Sequence, residues 1–162
     1  MRPSEVMTWV RQHFCELPPR ALVEFTASQG MLPDAVVDIV IRPDQACRVR
    51  VIHEDAQSLT LGTLEGHPES GRITFGAYRN ANGDVIFHIR SRARASDAAR
   101  FLGFLAVGEA MQTETWTGFI NSTAHGVGAR IEGCIHADTA EAEDAPEDGD
   151  GESAPTYRAV GD

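Results

Sequence analysis

Residues 72–90 have the sequence RITFGAYRNANGDVIFHIR, in which two segments alternate between apolar and polar side chains. Such a period of two is typical of β-strands with one buried and one wetter face, as in antiparallel sheets. The dipeptide Asn82-Gly83 separates the two segments, and both residues tolerate the positive φ angles of a tight hairpin turn. This stretch therefore predicts a β-hairpin, and with it the sheet on which the fold is built.

Three earlier segments extend the predicted sheet toward the N-terminus. They have the sequences AVVDIVI at 35–41, ACRVRVIHE at 46–54 and SLTLGTL at 58–64, and they are β-branched or alternate in the same way. Short polar connections separate them, EDAQ and EGHPESG among these, as turns do. The pattern predicts an antiparallel meander of about five strands.

The apolar residues change to helical spacing on either side of the meander. Residues 4–14 are predicted to form a short helix with Ser4 as its N-cap, and 21–28 is also interpreted as helical. Residues 97–123 predict one long amphipathic helix, roughly 40 Å long at about 1.5 Å per residue. Gly103, Gly108 and Gly118 are unfavourable inside it, which indicates close packing or room beneath the helix.

Together these elements predict an α+β fold, in which a curved antiparallel sheet of about five or six strands grips the long C-terminal helix. Residues 1–137 are expected to form this single domain. Such an arrangement can enclose a cavity between sheet and helix. Apolar pockets with a few polar groups are the usual ligand sites of proteins.

The acidic residues are concentrated at the C-terminus. Residues 138–162 contain nine Asp and Glu and one Arg, a balance of −8 out of the formal net charge of −10. This stretch lacks Leu, Ile, Phe and Trp, so it cannot bury enough apolar surface to offset its ordering entropy, and we expect a disordered acidic tail. Residues 1–137 keep a balance of only −2, with no basic excess, which argues against nucleic acid as a partner.

Cysteine usage and hydropathy indicate a cytoplasmic protein. The three thiols, Cys15, Cys47 and Cys134, form no CxxC pair, and an odd number of scattered cysteines favours a reducing compartment. The first residues lack the apolar core of a secretory signal, and no apolar run approaches the ~18 residues that span a membrane. The sequence has no nucleotide-binding fingerprint, and it predicts no cofactor and no metal, because His125, Cys134 and His136 are a weak ligand set.

Several motifs of the central region resemble one known family. They are Cys47-Arg48-Val49, Gly62-Thr63-Leu64, Gly66-His67-Pro68-Glu69, Gly71, Phe75 and Phe87-x-Ile89-Arg90, followed by Gln112 and Phe119 in the last helix. Through them, residues 35–124 resemble the domain of unknown function numbered 1990. That family is similar in outline to START-like, or helix-grip, proteins, which include lipid and hormone carriers and aromatic polyketide cyclases. The resemblance implies a sheet wrapped around a long C-terminal helix, with an internal apolar cavity.

The resemblance also bears on the N-terminal edge of the sheet. Members of the family usually begin with a further segment that includes a strand, and this chain is expected to begin inside or after it. An incomplete edge would present unpaired backbone groups to a second copy. We therefore expect that a homodimer could form through an exposed sheet edge.

Two pairs of polar residues are candidates for a site. His67 and Glu69 share the loop after 58–64, where they would form an acid–base pair or belong to a rigid turn set by the glycines and proline of that loop. His88 and Arg90 share one face of a strand, where they would bind a carboxylate or phenolate if the face lines a cavity, and would be solvated if it does not.

Three further residues join this candidate set. The resemblance implies a constrained role for Arg48, such as an ion pair, and it points to Gln112 in the last helix. Trp116 lies at helical spacing from the other aromatic residues of that helix, which is typical of a core position. No residue is assigned a catalytic role.

The sequence favours a protein that binds an apolar or amphipathic small molecule without transforming it. The reasons are the apolar sheet face, the glycine-containing helix and the lack of a convergent catalytic set. One alternative is a cyclase- or hydrolase-like enzyme that uses His67 or His88 as acid–base. Another is a protein-interaction module that uses the sheet edge or the acidic tail.

Overall fold

The structure is a computed structural model, and it describes residues 1–67, 69–95, 109–138 and 156–159. Within those residues it contains two α-helices, a short 3-10 turn and eight strands. They are, in chain order, α1 Pro3–His13, the 3-10 turn Phe14–Glu16, β1 Val23–Thr26, β2 Val36–Ile41, β3 Gln45–Glu54, β4 Ser58–Thr63, β5 Glu69–Arg79, β6 Val85–Ala95, α2 Glu109–Gly126, β7 Ile135–Asp138 and β8 Thr156–Ala159.

The predicted α+β class and the antiparallel meander are confirmed. Strands β1 to β6 pair in chain order, each antiparallel to the next, and form a curled half-barrel. In the described residues the sheet then continues through β8 to β7, so that the strand order ends β6-β8-β7.

The predicted hairpin at Asn82-Gly83 joins β5 to β6. Gly83 has a φ of 94°, a conformation that favours glycine. The side-chain oxygen of Asn80 accepts hydrogen bonds from the backbone N–H groups of Asn82 and Asp84, at 3.0 and 2.9 Å. This turn fixes the register of the two longest strands, in which Tyr78 lies opposite Ile86.

The predicted N-terminal helix is present, but Ser4 is not its N-cap. The helix begins at Pro3, because proline suits the first helical position, where no N–H is needed for an intrahelical bond. Arg2 is the N-cap, and its backbone N–H donates to the carboxylate of Glu5 at 2.7 Å. The helix buries Val6, Met7 and Val10 against the sheet.

The interpretation of 21–28 as helical is wrong. Val23–Thr26 forms β1, which pairs with β2 so that Phe25 lies opposite Ile39. Val23 and Phe25 are buried whereas Glu24 and Thr26 are exposed. Pairing with β2 places alternate side chains of this segment on a buried face. The free energy of this tertiary contact outweighs the local helix propensity.

One face of the sheet packs against both helices and contains the core; we call it the inner face, and the opposite one the outer face. Phe14, directly after α1, is at its centre. Its ring centroid lies 4.9 Å from that of Phe75 in β5, 5.2 Å from that of Phe119 in α2 and 5.6 Å from that of Phe25 in β1. These contacts join the end of α1 and helix α2 to strands β1 and β5 of the meander.

Within the range predicted for the long helix, the described residues contain a helix only in the C-terminal part. The described helix α2 starts at Glu109 and extends to Gly126, three residues beyond the predicted end; the predicted start at 97 lies outside the described residues, as do Gly103 and Gly108. A Cβ atom at Gly118 would lie 2.4 Å from Cγ of Pro19. At this position the glycine permits close packing.

The C-terminal segment is only partly described. Ile135–Asp138 forms β7, and Thr156–Ala159, within the segment predicted to be disordered, forms β8 between β6 and β7. The rest of the predicted tail, 139–155 and 160–162, lies outside the described residues. In the part of the chain that is described, no helix is long and apolar enough to cross a membrane.

The contact between α1 and the end of α2 gives a first test of the packing. A Cβ atom at Gly126 would lie 1.9 Å from Cη2 of Trp9, so Gly126→Ala must displace the indole. We expect the free energy of unfolding to fall by about 1–3 kcal/mol, the usual cost of overpacking. Urea unfolding followed by circular dichroism measures this change.

The control is the same substitution in a Trp9→Ala background, where the obstructing atoms are absent. Alanine is the better helix former by about 1 kcal/mol, so there Gly126→Ala should be neutral or stabilising. An equal loss of stability in both backgrounds would contradict the role of the Trp9 contact.

Candidate functional site

The sheet divides the candidate residues between its two faces. In β6, Phe87 and Ile89 are buried on the inner face, so the alternating positions of His88 and Arg90 lie on the outer face. Trp116, by contrast, packs against Phe75 on the inner face. The structure therefore does not bring all the predicted residues together.

His88 lies against the bare backbone of the neighbouring strand. It is directly opposite Gly76 in β5, and a Cβ atom at Gly76 would lie 2.6 Å from Nε2 of His88. The Tyr78 ring also lies next to His88, with its centroid 5.7 Å from that of the imidazole. Nδ1 of His88 is buried and has no hydrogen-bond partner among the described residues. Gly76 thus makes the half-buried position of this imidazole sterically possible.

This environment lowers the pKa of His88 below its ordinary value of 6.5. Burial is the main cause, because it disfavours the charged imidazolium, and the positive charge of Arg90 adds to it. His88 is therefore neutral at pH 7, and one ring nitrogen is available as a hydrogen-bond acceptor or a base.

Arg90 and Arg48 both lie on the outer face, three strands apart. Arg90 is half-buried and opposite Thr74, whose hydroxyl lies 2.9 Å from that of Thr60 on the next strand. Arg48 is exposed and opposite Asp38 in β2, but no salt bridge joins these two described residues.

The loop of His67 is a tight turn between β4 and β5. The backbone N–H of His67 donates to the carbonyl of Leu64 at 3.1 Å, and Gly66 has a φ of 88°. Thr63 closes the base of the loop, where its hydroxyl binds both the N–H and the carbonyl of Gly71, at 2.9 and 3.1 Å. His67 is half-buried in this turn. Glu69 begins β5, and the placement of its side chain lies outside the described residues.

Trp116 and Gln112 belong to the interface between α2 and the inner face. The Trp116 ring centroid lies 5.8 Å from that of Phe75 and 6.2 Å from that of Phe119, both in edge-to-face geometry. Its indole nitrogen is buried and has no hydrogen-bond partner among the described residues. Gln112 is half-buried one helical turn earlier, on the same side of α2. These two residues could present polar groups to an apolar ligand.

The cysteines do not form a metal site in the described part of the chain. Sγ of Cys134 lies 3.3 Å from Nε2 of His136, on the exposed strand β7. Among the described residues no group of three His, Cys, Asp or Glu side chains is placed to hold a metal ion. Cys15 is half-buried, and burial raises the pKa of its thiol.

Two features of the outer face, the glycine opposite His88 and the pairing of Arg72 with Arg92, were not predicted, although the sequence contains a signal for both. The hairpin turn pairs Arg79 with Val85, and counting outward from that pair places Gly76 opposite His88 and Arg72 opposite Arg92. The position of Gly76 beside His88 and that of Arg72 beside Arg92 thus follow from the hairpin turn and the antiparallel register.

The fold is a curled antiparallel sheet with two helices on its inner face, and its site residues are on both faces. Residues 7–120 match the family described as Domain of unknown function (DUF1990). The match covers more than half of the chain, so the chain belongs to this family, as its central motifs indicated. No curated protein matches the chain, and no solved structure does.

The lowered pKa of His88 has a consequence for stability. As the pH falls through 6.5, His88 of the unfolded chain takes up a proton before His88 of the folded chain does. The free energy of unfolding therefore decreases below that pH, until the folded state is protonated too. His88→Gln cannot take up this proton, so its stability should decrease less between pH values of about 7.5 and 5.

Urea unfolding at several pH values measures the difference between the two proteins. The matched control is His125→Gln, a substitution of the same type at an exposed position of α2. A wild-type dependence in His88→Gln as well would show that burial of His88 has no effect on its titration.

Proposed function

We propose that this protein binds an apolar or amphipathic small molecule between the inner face of the sheet and α2, without transforming it. The observation that carries the proposal is the buried indole N–H of Trp116, which has no acceptor among the described residues. The N–H is at a helix–sheet interface lined by the rings of Phe75 and Phe119.

An unpaired donor in such a place is unfavourable. Most buried polar groups in proteins are hydrogen-bonded, and leaving one unpaired costs about 1–3 kcal/mol. A ligand oxygen that accepted the Trp116 hydrogen bond would remove this cost. The rings around it would contact the apolar body of the same ligand, since tryptophan combines a large apolar surface with one polar group.

The chemistry of the ligand follows from these neighbours. It would have an apolar body and at least one acceptor, such as a carbonyl, ether, hydroxyl or carboxylate oxygen. Gln112, one turn earlier in α2, is a second polar side chain on the same side of the helix.

The wider arrangement that we propose is a helix grip, as in START-like proteins. The Phe119 ring centroid lies 5.0 Å from that of Phe75 and 6.3 Å from that of Phe87, so α2 contacts both strands of the long hairpin. This contact supports a helix that lies across the curled sheet and covers a ligand.

Binding is favoured over catalysis because the acid–base candidates are not near Trp116. His88 and Arg90 are on the outer face, across the sheet from the indole. His67 is held in the turn at the end of β4. An enzyme of the cyclase or hydrolase kind would need one of these groups to face the same ligand.

The two tryptophans of the chain allow a direct test. Trp9→Phe leaves Trp116 as the single emitter, and 8-anilinonaphthalene-1-sulfonate serves as an amphipathic probe. We expect the probe to quench Trp116 emission by energy transfer as it binds. Trp116→Phe should weaken probe binding roughly fivefold to tenfold, the equivalent of one hydrogen bond of about 1 kcal/mol.

Trp9→Phe is also the matched control. Trp9 is stacked on His13 in α1, so its substitution should leave the probe affinity unchanged. Equal probe affinity in Trp9→Phe and Trp116→Phe would show that the Trp116 N–H does not contribute to binding the probe. Failure of the folded protein to bind the probe, together with a ligand-free mass for protein purified gently from cells, would overturn the proposed function.

A further inference from the structure

The inner face of the sheet becomes less buried along β4, β5 and β6. One row of residues across these strands is fully buried, and we call it the first row: Leu59, Phe75 and Ile89. Two residues along each strand, toward the loop between β4 and β5, is the second row: Leu61, Ile73 and Ser91. Ile73 and Ser91 are only half-buried. The inner face is therefore closed at the first row and more open at the second.

Ser91 is a polar residue on this apolar face. It lies directly opposite Ile73, whose side chain packs against the core. It is also two residues beyond Ile89 in β6, and side chains two apart in a strand point to the same face. The second row thus ends in a hydroxyl group where the first row ends in an isoleucine.

The Ser91 hydroxyl makes no hydrogen bond to another described residue. Thr63, further along the same face, differs from it, because its hydroxyl binds both the N–H and the carbonyl of Gly71. A serine hydroxyl can donate one hydrogen bond and accept others. That of Ser91 is therefore available to a ligand.

Helix α2 brings Trp116 toward the second row. The Phe119 ring centroid lies 5.0 Å from that of Phe75 and 6.3 Å from that of Phe87. Trp116, almost one turn earlier, lies 5.8 Å from Phe75, and in the described residues it has no ring contact with Phe87. Phe87 and the second row are on opposite sides of Phe75 along the hairpin. The indole of Trp116 and the hydroxyl of Ser91 are thus at the same end of the helix–sheet interface.

The residues at this end are also small. Ser91 replaces the branched apolar side chain of the first row, and Gly71, two residues from Ile73 in β5, contributes no side chain. At the first row, by contrast, the rings of Phe75 and Phe119 fill the space between sheet and helix. The second row leaves more room for a bound molecule.

We infer that Ser91 is a ligand-binding residue, and that the small molecule lies over the second row with an oxygen atom between the Ser91 hydroxyl and the Trp116 N–H. This inference rests on the proposed function and adds the position and orientation of the ligand. The apolar body of the ligand contacts Ile73 and the face of the indole. A carbonyl oxygen fits both polar groups, because it can accept one hydrogen bond from each. The ligand class is an apolar molecule with a carbonyl group at one end.

Two fluorescent probes test this assignment: prodan, a naphthalene ketone, and dimethylaminonaphthalene, which has the same ring system without the ketone. Ser91→Ala should weaken prodan binding roughly threefold to tenfold, the effect of one lost hydrogen bond, and should not change the affinity for dimethylaminonaphthalene. Ser91→Leu fills the space over the second row, so it should weaken binding of both probes roughly tenfold or more. Fluorescence titration measures the affinities.

Ser70→Leu is the matched control, since it makes the same substitution at an exposed position of β5 and should keep the wild-type affinity for both probes. Circular dichroism establishes which variants are folded, and Ser91→Ala decides the question if Ser91→Leu does not fold.

Two results would overturn the inference and leave the proposed function intact, provided that Trp116→Phe still weakens probe binding. One is an unchanged affinity for prodan in Ser91→Ala. The other is an equal loss of affinity for both probes in that variant, which would indicate a structural effect of the serine. If the wild-type protein binds neither of these probes nor 8-anilinonaphthalene-1-sulfonate, both the inference and the proposed function are overturned.

Discussion

The aromatic cluster around Phe14 is the interaction on which the rest of the structure depends. Phe14 follows α1 directly, and its ring contacts Phe75 from the middle of the sheet and Phe119 from α2. All three side chains are almost fully buried. Three elements that are far apart in the chain are thereby joined, and burial of such large apolar rings supplies a major part of the stability of a small domain.

The cluster also decides what each face of the sheet can do. Because it holds both helices on the inner face, polar residues on that face must find partners inside an apolar environment, and Trp116 is the example. The outer face remains available for arginines and for a half-buried histidine. A single sheet therefore has the apolar core on one side and several arginines on the other.

Glycines determine where the elements come closest to each other. Gly118 is in contact with Pro19, Gly126 is in contact with Trp9, and Gly76 lies under His88. In each case a second residue occupies the space that a side chain would need. The sequence shows only that the glycines in the helix are unfavourable for helix formation, and the packing partner explains why they are compatible with it.

The sequence by itself determined the strands from β2 to β6, their antiparallel pairing and the hairpin at Asn82-Gly83, because a period of two and a positive φ are local properties. It also indicated the family, through the motifs between Cys47 and Arg90. The tertiary structure alone decided that Val23–Thr26 is a strand, that β8 pairs with β6 and that His88 and Trp116 are on opposite faces. The physical reason is that these features depend on contacts between distant segments, whose free energy outweighs local propensity and is not encoded in any single stretch of the chain.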